Sequence, residues 1–146
     1  MDTLISRARM LLQLMRVYQW TKNALVLMPL VFAQQMLNAD AVARSLAAMI
    51  AFCLASSATY IFNDILDLEN DRRHPEKARR PLPRGDISVA AAAMLAAMLA
   101  AVALGMAIGL NTPFLAALLV YIGLTVSYSL VLKNLFIVDV IVVALG

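Results

Sequence analysis

Ile87–Leu132 is a run of 46 residues without one Asp, Glu, Lys or Arg, and nothing else in the sequence constrains the fold as strongly. A helix needs roughly 20 mostly apolar residues to cross the hydrocarbon core of a bilayer, so the run holds about two crossings. "NTP" at Asn111–Pro113 interrupts it and predicts a tight turn between spans at 88–110 and 114–132. Two shorter uncharged runs, Asn23–Ala39 with 17 residues and Ser45–Asn63 with 19, predict further spans at 23–39 and 44–63. A fifth apolar stretch begins at Ile137 and reaches only Gly146, too short to cross. Hydrophobic residues make up 63% of the 146, and charged residues 14%. A soluble domain of this size could not cover so much apolar surface. The expectation is an all-α, polytopic transmembrane helical bundle occupying 1–146 as one unit, without a soluble domain, a linker or an internal repeat.

The first 22 residues mix charge with apolar side chains. Ile5, Ala8, Leu12 and Met15 recur at helical spacing, which predicts an interfacial helix leading into the first span. A signal peptide fits poorly, because nothing after "VFA" at 31–33 resembles a mature secreted domain. The single Cys53 lies within an apolar span and reads as a small core residue. The Ala-rich stretch at 88–109 reads as close helix packing. Basic residues set the orientation. Arg7, Arg9, Arg16 and Lys22 precede the first span, six more lie between the second and third, and Lys133 follows the fourth, whereas Arg44 alone is near the other side. The positive-inside rule then places the N-terminus and the 64–86 loop in the cytoplasm, at an inner (plasma) membrane.

More than half of the charged side chains fall within Ile61–Gly85, "IFNDILDLENDRRHPEKARRPLPRG", with acids first and bases after. Topology explains the bases but not the acids, since Asp and Glu contribute little to orientation. If the second span continues as a helix, Asp64, Asp67 and Asp71 fall within a roughly 60° arc, with Asn63 about 40° beyond, at about 100° per residue. Glu69 falls on the far side, four residues before Arg73, where it can form a routine ion pair. Like charges aligned on one face destabilise a helix unless something neutralises them. Mg2+ answers that need: it prefers oxygen ligands and takes one or two carboxylates together with substrate phosphates. "HP" at His74–Pro75 ends the helix, and His74 reads as a helix-end residue. The cationic loop "EKARRPLPRG" supplies Lys and Arg clamps for phosphate oxygens. These residues alone are compatible with a diphosphate site at the membrane face or with an unusually charged connector.

"NDILDLEND", an N-D-x-x-D-x-x-x-D pattern, resembles the first Asp-rich motif of the UbiA-type intramembrane prenyltransferase superfamily. The likeness extends through "RRHPEKARRPLPRGDIS" and to the blocks "RVYQWTKNALVLMPLVFA" and "YSLVLKNLFIVDV". The resemblance implies an all-α bundle whose site opens to the cytoplasmic side and binds a substrate diphosphate through Mg2+. Carried onto this chain, Asn63, Asp64, Asp67 and Asp71 form the first motif, with Asp64, Asp67 and Asp71 as metal ligands. Arg72, Lys77 and Arg80 would meet phosphate, and Lys22, Asn23, Tyr128 and Lys133 would line the pocket. Lys22 and Lys133 read equally well as interfacial anchors. Asp139 assists the site or pairs with a cation at the interface. "QWTKN" and "HPEK" look like the decaprenyl-phosphate phosphoribosyltransferase branch, which implies transfer of 5-phosphoribosyl from phosphoribosyl diphosphate to a polyprenyl phosphate. The alternative within the family is prenyl transfer from a polyprenyl diphosphate to an aromatic acceptor such as 4-hydroxybenzoate.

The resemblance also implies nine spans and a second Asp-rich motif, which this sequence does not contain. The expectation is therefore the N-terminal half of a longer enzyme, inactive alone and completed by a C-terminal half. Its partners would be membrane lipid, as polyprenyl phosphate or diphosphate, and a small molecule bearing a diphosphate; no nucleic acid is expected. A transporter would want ionisable residues at mid-membrane, whereas these lie at span ends. A non-catalytic, lipid-binding membrane protein would leave the aligned acids unexplained.

Overall fold

The structure, a computed structural model, describes residues 2–130. The predicted fifth span, Lys133 and Asp139 lie outside the described residues. The described chain is helical and contains no strand. Helix α1 covers Asp2–Leu14, and a 3-10 helix follows over Val17–Leu27. Next come α2 (Met28–Phe32), α3 (Ala39–Leu66), α4 (Leu68–Arg73), a 3-10 turn (Lys77–Arg79), α5 (Pro81–Arg84), α6 (Val89–Leu110) and α7 (Thr112–Leu130).

Among the described residues, three helices are long and apolar enough to cross a membrane: α3, α6 and α7. Side-chain caps define their starts. Asn38 Oδ1 accepts from the backbone N–H groups of Asp40 and Ala41 at 3.1 and 3.2 Å, so α3 begins ahead of the uncharged run and takes in Asp40 and Arg44. Ser88 Oγ accepts from Ala91 N–H at 3.2 Å and starts α6. Asn111 alone connects α6 to α7, and its Oδ1 accepts from Phe114 N–H at 2.8 Å, so the "NTP" turn is one capping residue long.

The expected span at 23–39 takes a different form. Arg16 adopts a left-handed conformation (φ 51°, ψ 44°), which breaks the chain away from α1. The 3-10 helix then runs to Leu27, Pro29 sits in the first turn of α2, and Gln34 (φ 54°) turns the chain again. The segment is thus divided into a 3-10 and a short α piece instead of one continuous helix.

The core mixes alanines with a few Leu and Ile side chains. Ala58 and Ile61 of α3 pack with Ala92 and Leu99 of α6, and with Leu14 and Leu82 from α1 and α5. Further along, Ala55 meets Ala103, Ala107 and Leu118 of α6 and α7. Ala92, Leu99, Ala103 and Ala107 share one stripe of α6, and the small size of its three alanines lets the backbones of α3 and α6 approach closely. Met94, Met98, Val102 and Ile108 point outward, as expected of lipid-facing positions. Helix α3 is the most enclosed of the three spans and α7 the least. That arrangement makes α3 the scaffold for whatever projects from its end.

Candidate active site

The end of α3 carries the acid-rich motif. The helix stops at Leu66, Asp67 forms the junction (φ −93°, ψ 4°), and α4 begins at Leu68. Helical hydrogen bonding crosses the junction: Asp67 N–H donates to Asn63 C=O at 3.0 Å, and Asp71 N–H to Asp67 C=O at 2.8 Å. Asp64 and Asp71, two turns apart, therefore stay on one side, and both are buried at 3% and 2% exposure. Asp67 and Asn63 are half-buried.

Buried carboxylates require partners. Arg80 bridges the two, with Nη1 3.2 Å from Asp64 Oδ1 and 2.8 Å from Asp71 Oδ2. Lys77 Nζ stands 3.5 Å from Asp71 Oδ1. The second partner of Asp64 is the Arg16 guanidinium, which donates from Nη2 to Oδ1. Two acids thus meet three cations.

Each cation is held by local structure. Arg80 precedes Pro81 and is extended (ψ 153°), as a residue before proline prefers. Pro81 and Leu82 are buried and anchor the loop. Gly85 (φ 86°) closes the short α5, with Asp86 N–H donating to Pro81 C=O at 3.0 Å, a turn that requires the left-handed region. Arg16 is aimed by its left-handed backbone and lies over the Tyr60 ring, 4.8 Å from its centroid. Polar bonds tie that segment to α3. Ser57 Oγ donates to Met15 C=O at 2.8 Å, Trp20 Nε1–H donates to Ser57 Oγ at 3.0 Å, and Asn23 Nδ2 donates to Ser56 Oγ at 3.1 Å. A cavity of about 240 Å³ opens beside the cluster, with Arg16, Tyr18, Asp64, Glu76, Arg79 and Arg80 among its lining residues.

The predicted residues divide accordingly. Asp64, Asp71, Lys77 and Arg80 come together. Arg72 instead pairs with Glu69 at 2.8 Å on an exposed surface, so Glu69 reaches a residue three positions on and not the predicted Arg73. Asn23 joins the helix packing through Ser56. Lys22 and Tyr128 are exposed and do not line the cavity. His74 caps α4, and its Nδ1 accepts from the N–H groups of Glu76 and Lys77 at 3.2 and 3.4 Å. Arg16 and Arg79 were not among the expected site residues. By sequence Arg16 reads as a topology charge, although it opens the "RVYQWTKN" block.

Among the described residues, no three His, Cys, Asp or Glu side chains stand together as a ready metal site. The Asp64–Asp71 pair nonetheless suits Mg2+, which takes one or two carboxylates and completes its octahedron with water and phosphate oxygens. The surplus of guanidinium and ammonium groups around the pair matches the phosphates such an ion would bring.

An all-helical, multi-pass membrane protein with buried acids and clustered bases at one end of its bundle is the class that fold and site define. The chain belongs to the UbiA prenyltransferase family, whose model matches residues 25–146. It is 35% identical to a decaprenyl-phosphate phosphoribosyltransferase of Mycolicibacterium smegmatis over 140 residues, covering 93% of this chain and 44% of that protein. A protein of the same name from Corynebacterium glutamicum is 34% identical over 93% of this chain and 42% of its own length. An uncharacterized protein of Sinorhizobium fredii is 37% identical over 88% of this chain and 25% of its own length. The chain thus spans less than half the length of these relatives.

Proposed function

We propose that this chain forms the first acidic half of an intramembrane transferase site that moves 5-phosphoribosyl from phosphoribosyl diphosphate to a polyprenyl phosphate. The observation that carries the reading is the bridging of buried Asp64 and Asp71 by Arg80, with Arg16 and Lys77 alongside, at the end of an apolar bundle. The relatives named as decaprenyl-phosphate phosphoribosyltransferases support the choice of branch. Asp64 and Asp71 would hold Mg2+, with Asp67 contributing from the junction. Such an ion would neutralise charge growing on the leaving diphosphate. Arg80, Lys77 and Arg16 then turn from carboxylate to phosphate oxygens and stabilise the same charge. A polyprenyl phosphate oxygen, already ionised, forms the new bond to the anomeric carbon as the bond to diphosphate breaks. No proton needs to be removed, and no base is required.

The two carboxylates supply part of the metal set, and a second acid-bearing segment completes it. Basic-residue asymmetry supports a site on the cytoplasmic side of the membrane.

The test uses membranes carrying the protein at its native length, with labelled phosphoribosyl diphosphate and polyprenyl phosphate. Lipid-linked product should form with Mg2+ and disappear with EDTA or in Asp64→Ala. Product formed only from prenyl diphosphate and 4-hydroxybenzoate would replace this reading with prenyl transfer. Undiminished transfer in both Asp64→Ala and Asp67→Ala would remove the metal assignment.

A further inference from the structure

A second basic region lies beside the candidate active site and takes no part in it. Helix α1 packs its buried Leu14 into the same core cluster as Leu82 of α5. Between the two helices opens a cleft of about 580 Å³, lined by Arg7, Arg9, Arg84 and Asp86 together with Ser6 and Gln13. Arg84 is engaged with Asp86, its Nε donating to Oδ2 at 2.8 Å. Arg7 and Arg9 make no ion pair with any described residue. Three guanidiniums and one carboxylate leave the cleft cationic.

Two features fix its depth. Arg84 and Asp86 lie just before α6, which starts at Val89 and is long and apolar enough to cross a membrane, and a crossing by α6 sets the cleft near the level of lipid headgroups. On α1, Ile5 and Leu12 are seven residues apart on one face and are 55% and 54% exposed. With Leu11, 38% exposed, that face widens to an arc of roughly 120°, and Arg7 and Arg9 border it, one on each side. An apolar stripe with basic flanks is the pattern of a helix lying in the membrane interface.

We propose that the α1–α5 cleft is a binding site for the phosphate headgroup of an anionic glycerophospholipid, with Ile5 and Leu12 set among the acyl chains. The lipid joins α1 to the loop that carries Arg80, and so couples membrane composition to the geometry beside the site.

Native mass spectrometry of the full chain in neutral detergent tests this, titrating phosphatidylglycerol, phosphatidylcholine and inorganic phosphate. Phosphatidylglycerol should bind at least tenfold more tightly than phosphatidylcholine. Arg7→Gln/Arg9→Gln should weaken it by roughly tenfold or more, from the loss of two cations near the headgroup. Arg7→Lys/Arg9→Lys keeps the charge and should retain the preference, and Arg44→Gln, at the opposite end of α3, should not alter it. Equal binding of the two lipids would overturn the proposal, as would a phosphatidylglycerol preference that survives the Gln pair. Displacement of phosphatidylglycerol by equimolar inorganic phosphate or polyprenyl phosphate would assign the cleft to a free anion or to substrate, and would also overturn it.

Discussion

Helix α3 carries an aspartate near each end, and the two ends treat it differently. At the start, Asp40 pairs with Arg44 one turn on, at 3.0 Å, with side chains 75% and 63% exposed. At the other end, the Asp64 side chain is 4% exposed and meets Arg16 and Arg80, which lie 48 and 16 positions away. The first pair is local, solvated and one to one. The second is long-range, enclosed and shared, with Asp71 drawn in through Arg80. An exposed i,i+4 pair contributes about 0.3–0.5 kcal/mol, whereas removing one partner of a buried set costs about 3–5 kcal/mol. Identical residue types therefore make a solvated local pair at one end and build a charged site at the other. The difference lies in what the tertiary fold places around them.

The sharpest way to break this comparison is Arg80→Ala. It leaves Asp71 with only the longer Lys77 contact and deprives Asp64 of one of its two partners. A loss of about 3–5 kcal/mol in unfolding free energy is expected from denaturant titration in detergent. A loss below about 1 kcal/mol, within the range of an exposed pair, would show that the two ends are energetically alike. Arg80→Lys should recover part of the stability, because a single nitrogen, Nη1, makes both contacts and an ammonium can stand in for it, though without the fixed guanidinium plane that aims it.

Arg16→Lys comes next. It keeps the charge beside Asp64 but removes the planar group over Tyr60, worth about 0.5–2 kcal/mol as a cation–π contact. Affinity for Mg2+–diphosphate, read by calorimetry on the full chain, should fall along with stability. A fall in stability alone would make Arg16 a packing residue and leave phosphate contact to Arg80 and Lys77.

The sequence made one half of this arrangement easy to see. The uncharged run and "NTP" locate α6 and α7, because crossing a bilayer demands length and apolarity that nothing else in a sequence imitates. Asp64 and Asp71 were visible because helical periodicity carries across the Asp67 junction. The contacts that complete the site were not. Arg16 reaches Asp64 only because a left-handed residue redirects the chain and Ser57 ties Met15 to α3, and neither event has a periodic signature. Arg72 was expected at phosphate, yet Glu69 holds it on the exposed face, a choice between i+3 and i+4 partners that spacing leaves open. The first expected span was divided because apolar composition fixes what a segment can dissolve in, and Pro29 and the turns around it fix its backbone form.

Two milder changes at the start of α3 complete the scale. Asn38→Ala removes the acceptor for two backbone N–H groups and should cost about 1 kcal/mol. Arg44→Gln should cost less, about 0.3–0.5 kcal/mol, and its effect should shrink as salt rises, since an exposed pair is screened within a Debye length. A double-mutant cycle with Asp40→Asn isolates the pair from the cap. Coupling well above about 1 kcal/mol, or coupling indifferent to salt, would mean that Asp40 and Arg44 are not solvated as their exposure says. The contrast between the two ends would then narrow to a difference in how many partners each carboxylate has, with burial no longer separating them.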